Sequence, residues 1–326
     1  MRILVVKLSS LGDLFHALPA VAAIKKNGNP LIDWVTHPAY VDLVRQFEPV
    51  DRVIAFPRKK FITRAVPFFR ELWQEKYDYI FDMQGLLKSA FVARCARGGQ
   101  RIGPSFHREG SRIFYSAVTG PRNKERHAVE ENLDLLDYLG LPRDTVEFPV
   151  RWPRPSDLPA GPKIALLPCS RWETKNWPVE HFVETARMLA PEAQVHVFGS
   201  PDDAATCRQI EAAAPGIINH CGATSMLELG GYLSVMDLVI TVDSGPMHIA
   251  AASGTPVLAL FGPTNHRRTG PYGAKHHILF QEHLACRPCL SRSCRLPAAD
   301  VRCLRDIGPS NVVAKARAML AGKIAG

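Results

Sequence analysis

No apolar run in this sequence approaches the ~18 residues that span a bilayer, which argues against an integral membrane helix. The first residues, Met1-Arg2-Ile3-Leu4-Val5-Val6-Lys7, carry no small-residue cleavage site and read as a buried first strand, not a signal peptide. No internal repeat or low-complexity stretch stands out. Acidic residues are in the minority, 31 against 40 Lys and Arg, for a formal net charge of +9. Yet the basic residues do not interleave with aromatics along one element, and no helix-turn-helix or finger spacing is present. Nucleic acid is therefore not an expected partner, and a zinc-stabilised nucleic-acid-binding protein is the weaker reading. A cytoplasmic chain is expected.

What is present is the patterning of an ordinary globular protein, with 46% hydrophobic and 22% charged residues. At 326 residues the chain exceeds what one core usually serves, so two domains are expected. Strands and helices alternate in two series. The first runs through strands at 3–7, 32–36, 53–56 and 79–82, with helices at 13–26, 41–47, 63–75 and on to 93. The second has strands at 164–167, 195–198, 238–242 and 257–261, with helices at 179–189, 203–213 and 226–233. Between them lies the proline-rich stretch Pro149-Val-Arg-Trp-Pro-Arg-Pro-Ser-Asp-Leu-Pro159, a linker signal. The expected architecture is α/β, two Rossmann-like parallel-sheet domains facing across a cleft. Their bounds are 1–150, a linker over 151–162, and 163–308. An amphipathic helix over 309–326 is expected to pack back on one of the two domains, the N-terminal one among the candidates.

Two turns carry chemistry. In Val239-Ile-Thr-Val-Asp243-Ser244-Gly245-Pro-Met-His248 an apolar strand stops at an acid and enters a small-residue helix through Ser-Gly-Pro. Ser244 suits the N-cap and Pro246 the first turn, leaving backbone N–H groups and the positive dipole end free for an anion such as a diphosphate. His248 follows within the first turn. The other turn, Lys7-Leu-Ser-Ser10-Leu-Gly-Asp13, joins the first strand to the first helix. An acid there caps a helix, but at the C-terminal edge of a parallel sheet it is also placed to take a proton from an acceptor hydroxyl.

These turns, together with Asp82-Met-Gln-Gly-Leu-Leu-Lys88, Arg108-Glu109, His127-Ala-Val-Glu130, Lys175-Asn-Trp-Pro178 and Phe261-Gly-Pro-Thr264, fall in an order that resembles the glycosyltransferase family 9 heptosyltransferases. The resemblance covers residues 1 to about 273. It implies a GT-B fold and inverting transfer of a heptose from ADP-heptose to a Kdo sugar of the lipopolysaccharide inner core, without a catalytic metal. By the same resemblance Asp13 is the general base, and Lys175 the catalytic and donor-phosphate lysine. Asp243, Ser244, Gly245 and His248 join Lys175 in holding the donor, and Ser170 is a further donor candidate in a loop, Pro168-Cys-Ser-Arg171, that departs from the family's more hydroxyl-rich stretch. Ser10, Arg58, Lys60, Arg64 and Arg108 meet an anionic glycolipid acceptor of the Kdo–lipid A type. Peripheral contact at the inner face of the inner membrane goes with such an acceptor. A family 9 enzyme with another donor or acceptor is the alternative.

The segment after Phe280 departs from the family's first member, while some other members carry a similar cluster. Cys286, Cys289, Cys294 and Cys303 are spaced C-x₂-C-x₄-C-x₈-C, and four thiols that close in a cytosolic protein are better metal ligands than disulfides. A structural zinc clamping a short polar loop is the favoured reading, with an iron–sulfur cluster and redox-active thiols left open. Cys95, Cys169, Cys207 and Cys221 stand isolated in sequence and are expected to be buried.

Overall fold

A computed structural model describes residues 1–57, 61–156, 158, 160–296 and 300–324. The chain divides into two compact units, Met1–Arg151 and Trp152–Gly326.

In the N-terminal unit the elements are β1 (Arg2–Val6), α1 (Leu11–Gly28), β2 (Leu31–Thr36), α2 (Val41–Val44), β3 (Arg52–Ala55), α3 (Phe61–Leu72), β4 (Tyr77–Asp82), α4 (Leu87–Cys95), β5 (Gly98–Pro104), β6 (Ala117–Thr119) and α5 (Ala128–Leu139). All strands pair in parallel, in the order β3-β2-β1-β4-β5-β6. A parallel strand is covered on both sides, so β1 reads as an unbroken apolar run and Ile3, Leu4, Val5 and Val6 are all buried. Leu4, Val6, Val35, Ile54 and Ile80 pack with Phe68 and Leu72 of α3 and with Val92 and Ala93 of α4. α1 packs against α5.

The C-terminal unit repeats the plan with β7 (Lys163–Leu167), α6 (Val179–Leu189), β8 (Gln194–Val197), α7 (Ala204–Glu211), β9 (Ile218–Asn219), α8 (Met226–Leu233), β10 (Leu238–Val242), α9 (Gly245–Ala252), β11 (Val257–Phe261), α10 (His266–Thr269), β12 (His277–Phe280), α11 (Arg302–Arg305) and α12 (Pro309–Ile324). Its strand order is β12-β11-β10-β7-β8-β9, the same winding as the first sheet when each is counted from its own first strand. In each unit the order reverses beside the first strand, at β1/β4 and at β7/β10. Loops leaving the carboxyl ends of such strand pairs are where open α/β sheets bind ligands.

The final helix packs within its own unit. Val312, Val313 and Ala316 of α12 are buried in the C-terminal unit's own core with Phe182, Ala186 and Leu189 of α6, because its apolar stripe matches the one α6 presents. The start of the 151–162 linker is anchored. Val150 bridges Phe47, and the Arg151 N–H donates to the Gln46 carbonyl, so the chain stays tied to the N-terminal unit up to that point. Immediately after, the Trp152 ring lies on α8, where a Cβ at Gly230 would stand 2.1 Å from it.

Candidate active site

In the N-terminal unit the loop from β1 to α1 is built around Asp13. Ser10 holds the extended N-cap conformation, its N–H donates to Asp13 Oδ2 at 2.7 Å, and its hydroxyl donates to the same oxygen at 3.1 Å. His16, one turn on, brings Nδ1 to 3.7 Å from Asp13 Oδ1. Burial raises the cost of charging this carboxyl. The His16 contact, the positive charge on Lys7 and the Ser10 N–H outweigh it and hold the pKa well below the usual carboxylate range. The group nevertheless keeps 40% of its side-chain surface open. An ionised, accessible carboxylate at a helix N-terminus can orient a hydroxyl and accept its proton.

The floor of this loop is Lys7, only 3% exposed, whose Nζ donates to the Met83 carbonyl at 2.5 Å and lies 5.5 Å from the Phe106 ring centre. Burial lowers its pKa, opposed by Asp13, Asp82 and Glu131. Gln84, in the loop after β4, accepts the Leu8 and Ser9 N–H groups on Oε1 at 3.1 and 3.0 Å. Asp82 fixes that loop in turn: it accepts from the Gln84 and Gly85 N–H groups, from the Ser89 hydroxyl and from the Tyr115 hydroxyl. Gly85 is required here. Its φ is +70°, and a Cβ would meet Pro104 Cγ at 2.9 Å and His107 Cα at 3.1 Å. The Gly85 carbonyl then receives the Arg108 N–H at 2.7 Å, which sets exposed Arg108 beside the loop. Arg64 lies on α3, exposed; Arg58 and Lys60 fall outside the described residues.

In the C-terminal unit the loops after β7 and β10 meet. Lys175 lies in the short 3-10 turn Glu173–Lys175 that precedes α6, and its Nζ is 2.7 Å from Asp243 Oδ2. Asp243 also accepts from the Thr264 hydroxyl at 2.6 Å. The Lys175 ammonium lies 4.7 Å from the Trp172 ring centre, and the Arg292 guanidinium lies 4.9 Å from it. The Ser170 N–H donates to Asn176 Oδ1 at 2.7 Å, which orders the 168–176 turn. Ser244 is the N-cap of α9 by backbone conformation, but its hydroxyl makes no capping bond. Oγ is buried without a hydrogen-bond partner. With Pro246 in the first turn, the α9 N-terminus therefore presents unsatisfied donors. Gly245 opens the helix, and His248 sits one turn in, 8% exposed. A buried donor with no partner, beside a lysine and a helix N-terminus, is suited to phosphate oxygens.

The sequence model of glycosyltransferase family 9 (heptosyltransferase) matches residues 66–299. The chain belongs to glycosyltransferase family 9. It is a glycosyltransferase, which decides against the nucleic-acid reading. It is similar to lipopolysaccharide heptosyltransferase 1 of Pseudomonas aeruginosa, 29% identical with 98% of each chain covered. It is also similar to lipooligosaccharide heptosyltransferase 2 of Campylobacter jejuni, 26% identical over 93% of this chain and 94% of that one. Among solved structures, E. coli heptosyltransferase WaaC with ADP superposes with a TM-score of 0.82 at 24% identity, covering 98% of this chain and 100% of that one. WaaC has also been solved with ADP-2-deoxy-2-fluoro heptose, TM-score 0.78. The fold is accordingly the α/β GT-B class.

In this family 9 enzyme several residues not assigned a role from sequence shape the loops around these groups. Lys7 and Gln84 position the Asp13 loop, and Thr264 shares Asp243 with Lys175. His127, the N-cap of α5, sets its ring 5.7 Å from that of His16. The signal for Lys7 was its place at the end of a buried strand, where a lysine needs a partner.

The four thiols of the segment lie near one another, since Cys286, Cys289 and Cys294 all act on the Cys303 thiol. Among the described residues no three His, Cys, Asp or Glu side chains are gathered to hold an ion. Cys286 and Cys289 are exposed, Cys294 donates to the Asp300 carbonyl, and burial pushes the Cys303 thiol up to about 11. The loop has other clamps. Arg287 donates to the Gly262 and Gln281 carbonyls, and the Thr174 hydroxyl donates to the Ser291 carbonyl. Of the cysteines isolated in sequence, Cys207 is fully buried while Cys95, Cys169 and Cys221 are partly so. Burial raises the pKa of Cys169 and Cys207, and the nearby Cys221 adds to the rise at both.

Proposed function

We propose that this glycosyltransferase moves a heptose from ADP-heptose to a Kdo sugar of the lipopolysaccharide inner core, with inversion and without a catalytic metal. Ser244 carries the reading: a buried hydroxyl without a partner, at a helix N-terminus beside Lys175 and Asp243, is a diphosphate cradle. The relative solved with ADP supports adenosine diphosphate as the leaving group. Asp13 takes the proton of the acceptor hydroxyl as its oxygen attacks the anomeric carbon from the side opposite ADP. Charge building on the departing diphosphate is met by the Lys175 ammonium, the Ser244 hydroxyl and the first N–H groups of α9, in place of a cation. The sugar passes through an oxocarbenium-like state of the kind met in glycoside cleavage. Ser10 and Arg108, with Arg58, Lys60 and Arg64, bind the anionic acceptor, and a lipid-linked acceptor puts the enzyme to work at the cytoplasmic face of a membrane.

Removing a well-placed base costs ~10²–10⁴-fold in rate. Asp13→Asn is therefore expected to lose that much turnover while ADP-heptose still raises its thermal midpoint as it does for the parent enzyme. Near-normal transfer by that variant would overturn the assignment of the base.

Similarity to a heptosyltransferase 2 over nearly the whole chain favours a second reading, in which the acceptor is a sugar other than Kdo. Transfer assays offering Kdo-terminated and heptose-terminated acceptors separate the two.

A further inference from the structure

Helices α3 and α4 of the N-terminal unit leave a large apolar surface uncovered. Val66 is 68% exposed, Trp73 46%, Phe91 45% and Leu87 46%. Val66 lies on α3 and Trp73 one residue past its end, while Leu87 and Phe91 lie four apart on one face of α4. Phe69 joins the two: its ring stacks on Trp73 at 5.5 Å and meets Phe91 edge-on at 6.4 Å. The Trp73 indole is held in place by its N–H bond to the Cys95 carbonyl. Trp73, Phe69 and Phe91 thus form one contiguous aromatic cluster, with exposed Val66 and Leu87 on the same two helices, unlike the singly scattered apolar residues of an ordinary surface.

The patch is framed by positive charge. Residues 61–76 and 87–97 contain six Lys and Arg against two acids, and α4 contains no acid. Arg70, Arg94 and Arg97 are exposed around it, and Arg97 donates to the Trp73 carbonyl, which fixes one cation at the aromatic edge. The end of the patch at Leu87 adjoins the acceptor loop. α4 follows directly on Gln84-Gly85, and the Leu87 N–H is bonded to Glu109, next to Arg108.

We infer that this α3–α4 face docks on a bilayer surface bearing anionic lipid. Trp and Phe with flanking Arg and Lys are the residue types that settle at a membrane–water boundary, with aromatic rings at headgroup level and cations drawn to the negative surface. A second copy of the chain fits worse, because a two-fold contact through this face would set its Arg and Lys cluster against itself. The docking rests on the patch and not on the identity of the transferred sugar. It would hold the acceptor loop against the layer from which a lipid-linked sugar projects.

The test is flotation of the full chain with vesicles of phosphatidylethanolamine and phosphatidylglycerol, against vesicles of phosphatidylcholine alone. Binding to the anionic vesicles, weakening as salt rises, is expected. The double variant Val66→Asp/Phe91→Asp is expected to bind at least about ten-fold more weakly, while its transfer to a soluble acceptor sugar is unchanged. Because a variant can misfold, the parent chain gives a second measure: bromine-labelled lipid should quench tryptophan emission, and Trp73→Phe should remove that quenching. No binding to anionic vesicles, equal binding by the double variant, or quenching that survives Trp73→Phe would each overturn the proposal. So would a parent chain that sediments as a dimer and a double variant that sediments as a monomer. Since vesicle binding needs neither donor nor acceptor, its failure leaves the proposed reaction standing.

Discussion

An acid at the third position of a helix is commonplace; Asp13 differs in its surroundings. Ser10, His16 and buried Lys7 all favour the charged form, and together they overcome burial. A carboxyl whose pKa is lower folded than unfolded stabilises the fold above its unfolded value, and that stabilisation is lost as pH falls through the folded one. The parent enzyme should therefore melt above Asp13→Asn near pH 7, with the gap beginning to narrow only as pH falls below about 4. A gap that stays constant or widens in acid, measured by calorimetry, would contradict the electrostatics described for the loop. The residue types at this site were legible in the sequence. Ser10 and Asp13 stand in capping register, and Asp243-Ser244-Gly245 stands where a strand gives way to a helix. Lys7 and Gln84 were not, because their roles come from contacts across 76 positions of sequence.

Among the elements, strands with buried apolar runs and helices with a clear apolar stripe could be read directly. The sheet margins could not. β5 is Gly-Gly-Gln-Arg-Ile-Gly-Pro, which carries three glycines and a proline and no alternation. It forms because β4 offers a full row of partners. β9 has two residues, and β12 is half-buried along its length, so neither gives a strong period. The turn from β4 to α4 invites a paired comparison. Gly85 and Gly110 have nearly the same φ, +70° and +74°, but a Cβ at Gly110 meets nothing within 4 Å while one at Gly85 meets Pro104 and the His107 backbone. Gly110→Ala should cost ~1 kcal/mol from backbone strain alone, and Gly85→Ala at least ~2 kcal/mol because the neighbours must also move. Equal losses in urea denaturation would show that the close approach contributes nothing. Gly85→Ala should also weaken acceptor binding, since its carbonyl anchors Arg108.

For the whole molecule, the two parallel sheets share one winding order, and each places its candidate residues at its own strand reversal. The proline-rich boundary was legible, though its attachment to both units was not, because it depends on Trp152 fitting over Gly230. The fate of α12 was likewise hidden: an apolar stripe shows that a helix must be covered, not by what. The proposed reaction requires a base in one unit and a diphosphate cradle in the other to act on one sugar. A crystal structure with ADP-2-deoxy-2-fluoro heptose and a soluble acceptor sugar tests this most directly. The account predicts the diphosphate on the α9 N-terminus, bonded to the Ser244 hydroxyl and the Lys175 ammonium, with the acceptor hydroxyl on Asp13 and ~3–3.5 Å from the anomeric carbon. A diphosphate bound away from Ser244, or an acceptor hydroxyl out of reach of Asp13, would contradict it.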